Sequence, residues 1–202
     1  MTLSDGTFWM SRPTEADIDV IVDRCREPSI GAWTTVPVPY LRTDGEHFIA
    51  DIVNPGWAGT SPVWAIRASE HGPVAGMLGL HVRDADPDAR EIGFWLSPAL
   101  RGRGIMARAV RLACDFGFRP DGLGLHRVEW RAKVGNRPSA AVARRAGFRY
   151  EGLLRQAHLS RGARYDVWIA GRLPDDPPNS AADWPDTFGA SAGLDRPPEM
   201  RP

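Results

Sequence analysis

The chain reads as one α/β domain, a sheet of short strands covered by helices. Three observations predict it. First, short apolar stretches bounded by turn signals recur at residues 63–68, 74–82, 92–96, 126–134, 148–154 and 165–173. Second, helix-period stretches stand between several of them. Third, from Glu91 to Val110 an apolar strand runs into a loop of alternating Arg and Gly, and the loop opens an amphipathic helix. At 202 residues the natural count is one domain with a tail.

In order along the chain, residues 6–12 read as a first strand that stops at Arg12-Pro13. Thr14 then caps a helix with Asp17 three residues on, and Ile18, Ile21 and Val22 form its apolar stripe. Residues 31–59 are irregular and aromatic, with one helix expected at about 43–53. The strands at 63–68 and 74–82 are separated by Glu70-His-Gly-Pro73, a turn signal. After the strand at 92–96 and the Arg-Gly loop, Ile105, Val110, Leu112, Ala113 and Phe116 fall near helical spacing, and residues 120–124 end that helix. Residues 126–134 alternate as a strand. A short helix at 136–145 stops at Gly147, a helix-ending glycine, and two strands, 148–154 and 165–173, close the domain. From Pro174 the composition turns to Pro, Asp, Ala, Ser and Gly. Residues 1–173 are therefore the domain and 174–202 a tail, with Trp184 and Phe188 as its only aromatic residues.

Composition excludes several classes. The formal net charge is zero, which gives no electrostatic footprint for nucleic acid. Cys25 and Cys114 form no C-x-x-C pair, as expected of two free thiols in a reducing compartment. The five histidines, 47, 71, 81, 126 and 158, have no metal-ligand spacing, so no metal is expected. No G-x-S-x-G elbow is present. The N-terminus is too polar for a signal peptide and no apolar run spans a membrane, so the expected location is cytoplasmic.

The Arg-Gly loop carries the chemistry. Glycines allow close approach of backbone to ligand, the opening turn of a helix offers free N–H groups and a positive dipole end, and Arg101 and Arg103 add charge. The segment reads as a pyrophosphate cradle. Gly102-Arg-Gly104-Ile-Met-Ala107 formally fits the dinucleotide fingerprint, but the strand that follows ends Arg131-Ala-Lys133-Val134, without the acid that holds a ribose. The stronger match is Q/R-x-x-G-x-G/A, the acyl-CoA signature of the GNAT acyltransferases. Here it reads Arg101-Gly-Arg-Gly104-Ile-Met106, with Met106 in place of a small residue.

A second constellation extends the resemblance. Val134-Gly-Asn136-Arg-Pro-Ser139 and Gly147-Phe-Arg-Tyr-Glu151-Gly152 resemble the second half of a GNAT domain. Within that superfamily the chain is most similar to the Rim-type enzymes (RimJ/RimL-type) that acetylate protein N-termini. Trp33-Thr-Thr-Val-Pro37-Val-Pro-Tyr40 resembles their W-x-x-x-P-x-P-Y substrate-side loop, and Trp64-Ala-Ile66 the strand that follows it. The resemblance covers residues 6–173. It implies a central mixed, mostly antiparallel sheet of six to seven strands flanked by helices, and acetyl-CoA or another short acyl-CoA as co-substrate.

The resemblance also implies roles for residues. Phe94, Trp95, Leu96, Arg101, Gly102, Arg103, Gly104, Ile105, Met106, Asn136 and Ser139 would hold acyl-CoA, and Trp33 and Tyr40 would face the acceptor. Glu151 would be the general base and Ser139 the acid for the leaving thiolate, with Glu91 as reserve base. Other GNAT enzymes place a tyrosine acid four residues beyond the Ser139 position, where this chain has Ala143. On residue type alone, Asn136 also reads as a helix cap, Glu151 as a surface strand carboxylate, and Trp33 and Tyr40 as packing residues. The expected reaction moves an acyl group to a primary amine, a protein N-terminal α-amine first of all. A small-molecule amine acetyltransferase and a non-catalytic acyl-CoA-binding module stay open beside it. A homodimer is expected by the same resemblance.

Overall fold

The structure is a computed structural model; it describes residues 1–82, 86–177 and 184–185. Eight strands form one sheet: β1 (Leu3–Ser4), β2 (Trp9–Ser11), β3 (Val63–Arg67), β4 (Val74–His81), β5 (Ala89–Leu96), β6 (Arg127–Lys133), β7 (Arg149–Ser160) and β8 (Ala163–Arg172). Their order is β1-β2-β3-β4-β5-β6-β8-β7. Every described pairing is antiparallel except β5 with β6. The helices are α1 (Ile18–Cys25), α2 (Pro28–Trp33), α3 (Arg42–His47), α4 (Asn54–Ala58), α5 (Ile105–Phe118) and α6 (Arg137–Arg145).

Strand period divides the core into two. Trp64, Ile66, Leu78, Leu80, Ile92, Val128 and Trp130 pack on one face of the sheet with α5 and α6. Val63, Ala65 and Met77 point the other way and pack with α1 and the segment around α3. The Thr14 cap forms as expected: its backbone N–H donates to the Asp17 carboxylate at 2.9 Å. Asp17 then accepts from Arg67 Nη2 at 2.8 Å, in a nearly buried ion pair that ties α1 to β3.

Several elements differ from expectation. The first strand expected at 6–12 is the shorter β2, and β1 precedes it, with Gly6 at φ +85° turning the chain between them. The aromatic segment is more helical than its irregular pattern implies. It contains α2, and α3 continues through a π-helical turn (Phe48–Val53) into α4. β7 and β8 extend into a long hairpin through the mostly polar or small residues 155–164, whose register is held by cross-strand pairs such as His158 with Tyr165. β1 brings the sheet to eight strands. Trp184, beyond the boundary expected at 173, docks on the domain. It is 6% exposed, its indole N–H donates to the Phe148 carbonyl at 2.8 Å, and its ring packs on Trp130 and Tyr150. The rest of the tail, Phe188 included, lies mostly outside the described residues.

Candidate active site

The parallel pair opens the sheet. β5 and β6 are in register only from Ala89 to Glu91 against Arg127 to Glu129. Beyond that point β5 continues to Leu96 paired to β4 alone, while β6 continues to Lys133 paired to β8. The backbone edge of Gly93–Leu96 that faces β6 therefore has no strand partner among the described residues. Such an edge offers donors and acceptors to an extended ligand.

The cradle closes one end of this opening. Gly102 and Gly104 adopt φ +76° and +71°, left-handed values that glycine reaches without strain. A Cβ at either position would meet nothing within 4 Å among the described residues, so the backbone faces open space. The N–H groups of Ile105, Met106 and Ala107 precede the first helical bond, from Arg108 N–H to Gly104 O at 3.3 Å. Arg101 is held in place by Nε donating to the Leu96 carbonyl at 2.8 Å. Arg103 of the loop, with Arg108, Arg111, Arg144 and Arg145, lines a second cavity of about 580 Å³, a basic rim suited to phosphate.

The main cavity measures about 1130 Å³. It brings together all the expected acyl-CoA residues except Arg103, which stands on the basic rim, and adds Trp33, Tyr40 and Glu91. Asn136 caps α6 by accepting from the Ser139 N–H at 3.3 Å, so its cap role and its place on the cavity wall coexist. The Ser139 hydroxyl accepts from the Trp130 indole N–H at 3.0 Å. That bond uses a lone pair and leaves the hydroxyl proton to donate elsewhere. Trp33 approaches Gly135, where a Cβ would lie 3.5 Å from the indole Cη2. Tyr40 is 4% exposed and belongs to the core while bordering the cavity, and burial pushes its phenol pKa up.

Glu151 is placed differently. It sits at the β7 bulge between Tyr150 and Gly152, and does not line the main cavity. Its carboxylate accepts from Arg127 Nη1 at 2.8 Å and Nη2 at 2.5 Å. Glu151 was expected to act on the amine directly or through a water; in the structure its carboxylate is paired with Arg127. The fork of Arg127 matches a carboxylate in two-point contact, and that pairing keeps it outside the cavity. Of the two expected carboxylates, Glu91 is the one on the cavity wall.

Three cavity residues had not been singled out. Arg131 and Lys133 bring positive charge to a cavity wall that also carries Asp44, Asp51 and Glu91. Lys133 is 6% exposed, and burial lowers its pKa. His81, at the end of β4, also lines the cavity, and burial lowers its pKa too. The glycines at 79 and 93 were the available signal for His81, since bare backbone inside a strand marks close approach. Cys25 and Cys114 are both buried with pKa values pushed up to about 12, which keeps them protonated and poor nucleophiles. One group of possible metal ligands occurs among the described residues: Asp86, Asp88 and His126, all exposed and outside the cavity. No helix of the described residues is long and apolar enough to cross a membrane.

Comparison with known proteins agrees with this geometry. The chain is 36% identical over 96 residues to YdaF of Bacillus subtilis (strain 168), covering 48% of this chain and 51% of that protein. It is 36% identical over 85 residues to the ribosomal-protein-serine acetyltransferase of Escherichia coli (strain K12), covering 42% of this chain and 46% of that one. The matched region thus spans about half the length of these curated relatives. Among solved structures, Mycobacterium smegmatis RimJ in complex with CoA-disulfide superposes with a TM-score of 0.74 at 23% identity, over 87% of this chain and 86% of that chain, a likeness of fold. The family model of the acetyltransferase (GNAT) domain matches residues 8–149. The chain belongs to the GNAT acetyltransferase family.

Proposed function

We propose that the protein is an N-acetyltransferase that moves an acetyl group from acetyl-CoA to a primary amine in a ternary complex, with a protein or peptide N-terminal α-amine as acceptor. The observation that carries this reading is the single cavity running from the Arg-Gly cradle, past the unpaired edge of β5, to the wall formed by Trp33, Tyr40 and Glu91. The relatives named for ribosomal-protein acetylation and the CoA-bound RimJ neighbour point the same way.

The residues present fit acyl-CoA. The left-handed glycines and the free helix N–H groups suit a pyrophosphate, and the five-arginine rim suits a further phosphate. The edge of Gly93–Leu96 suits an extended amide chain, and its N–H groups suit a developing oxyanion. Acetyl-CoA supplies the activated carbonyl. This chain aligns the amine, holds the oxyanion and manages protons. Ser139, with its hydroxyl proton unspent, donates toward the departing sulfur. Glu91 faces the acceptor side and orients the amine.

Amine ionisation favours an α-amine. At pH 7 roughly a tenth of an α-amino group is neutral, against well under ~0.1% of a lysine. The cavity wall mixes Arg131 and Lys133 with Asp44, Asp51 and Glu91, which does not favour a polycation. A CoA-release assay with several acyl-CoAs against N-terminal peptides, lysine peptides and small amines tests the reading. Release only with small amines would replace it by small-molecule acetylation, and release with none by the non-catalytic module.

We also propose a homodimer. β7 is the last strand of the sheet and exposes Leu153 (49%) and Leu159 (61%), an edge suited to a second copy. Light scattering should give twice the 22.2 kDa chain mass. A monomer at micromolar concentration would remove the idea.

A further inference from the structure

We propose that His81 is the general base of the acyl transfer, taking the proton of the attacking amine from a platform of two paired glycines. The inference rests on the acetyl-transfer reading above and adds a residue to it.

The argument starts from the sheet. His81 ends β4, and Gly79 lies two residues before it on the same strand face. Gly79 pairs across the sheet with Gly93 on β5. The imidazole folds back over this pair. A Cβ on Gly79 would collide with Nε2 and Cε1, and a Cβ on Gly93 would lie 3.7 Å from Nε2 and Cδ2. At Gly79 only bare backbone leaves room for the ring, and Gly93 lies at ordinary van der Waals distance from it. Gly93 also lies on the β5 edge beyond its last pair with β6 at Glu91, so the ring lies in van der Waals range of the strand proposed to receive the thioester. Among the described residues, neither ring nitrogen has a hydrogen-bond partner.

Its chemistry suits the role. Burial lowers the pKa of His81 below the ordinary histidine value of 6.5. The imidazole is therefore neutral at pH 7, with one ring nitrogen free to accept. The charged and titratable groups on the surrounding elements are Glu91 on β5, Glu129 and Arg131 on β6, and His47, Asp44 and Asp51 on the α3 segment. Glu91 stands directly across from His81 in the β4–β5 register.

The step balances as follows. The neutral amine attacks the thioester carbon and a C–N bond forms. The N–H proton of the resulting ammonium passes to the free imidazole nitrogen. The C–S bond breaks with its electron pair on sulfur, and the thiolate takes a proton from Ser139 or water. The imidazolium returns its proton to solvent. Solvent returns that proton to Ser139 or hydroxide, so amide and CoA thiol leave with no net release of a proton.

The test uses the full chain, acetyl-CoA and an acceptor peptide carrying a weakly basic amine in place of its α-amine, which takes substrate ionisation out of the pH window. H81Q should bind acetyl-CoA with wild-type affinity by calorimetry and lose roughly 10²–10⁴-fold in kcat. The wild-type rate should fall on the acid side with an apparent pKa below 6.5, and that limb should vanish in H81Q. Added imidazole should restore part of the rate of H81A. H81Q within about threefold of an active wild type, with the acid limb intact, overturns the His81 assignment alone. A wild type inactive toward every amine overturns the acetyl-transfer reading with it. If substitution impairs folding, a wild-type rate that shows no acid limb overturns the assignment without any variant.

Discussion

Gly104→Val separates backbone strain from ligand occlusion at the cradle. Gly104 has φ +71° and ψ 3°, and a Cβ built there contacts nothing within 4 Å. No described neighbour must move, so the stability cost is conformational. Holding an L-residue in the left-handed region costs about 1–2 kcal/mol, which at this chain length lowers Tm by a few degrees, roughly 2–4 °C per kcal/mol. Gly104→Ala pays most of the same cost and serves as the control. The two differ in what fills the space over the N–H groups of Ile105 and Met106. Losing one charge-assisted bond to a pyrophosphate costs about 1.5–3 kcal/mol, or roughly 10- to 150-fold in Kd. Gly104→Val should therefore bind acetyl-CoA at least tenfold more weakly than Gly104→Ala, at nearly equal Tm. Calorimetry with thermal melts on both variants reads this directly. Unchanged acetyl-CoA affinity in Gly104→Val refutes the cradle, and NAD binding by the wild type would revive the dinucleotide reading.

The other perturbations sort the remaining residues. Glu151→Gln should leave kcat near the wild-type value and cost about 0–1 kcal/mol in urea denaturation, because its pair with Arg127 is partly exposed (side chains 39% and 24%); a hundredfold fall in kcat would return Glu151 to the reaction. Glu91→Gln, on the cavity wall, should raise KM for the amine about tenfold through loss of one charged contact, with acetyl-CoA affinity unchanged. Trp184→Ala should destabilise the fold by about 3–5 kcal/mol, the usual cost of truncating a buried tryptophan; an unchanged urea midpoint would show that the segment around 184 does not dock.

The sequence carried much of the fold because its local signals agreed with the tertiary ones. α5 begins at Ile105 after the Arg-Gly loop, and α6 begins after Asn136, as patterning and capping required. The long β7–β8 hairpin was illegible because residues 155–164 are mostly polar or small, and cross-strand pairing, not alternation, makes them strand. Trp184 was ambiguous because a lone aromatic residue in a Pro-rich segment has no periodicity to read. At the site, the cradle was readable from adjacent residues. The carboxylate was not: Glu91 and Glu151 are both plain strand acids in sequence, and only Arg127, 24 residues before Glu151, decides which one is tied away from the cavity. His81 was passed over for a similar reason, since its platform comes from Gly93 on the next strand.

The most direct test of acetyl transfer to an α-amine is intact-mass analysis of a matched pair of peptides. One has a free N-terminus and no lysine, and the other a blocked N-terminus and one lysine. Each is incubated with the protein and acetyl-CoA at pH 7. The neutral fractions of the two amines differ by roughly 10²–10³-fold, so acetylation should accumulate on the free α-amine and be scarcely detectable on the lysine. Acetylation of the lysine peptide alone, or of neither peptide while calorimetry shows acetyl-CoA bound, would contradict the account.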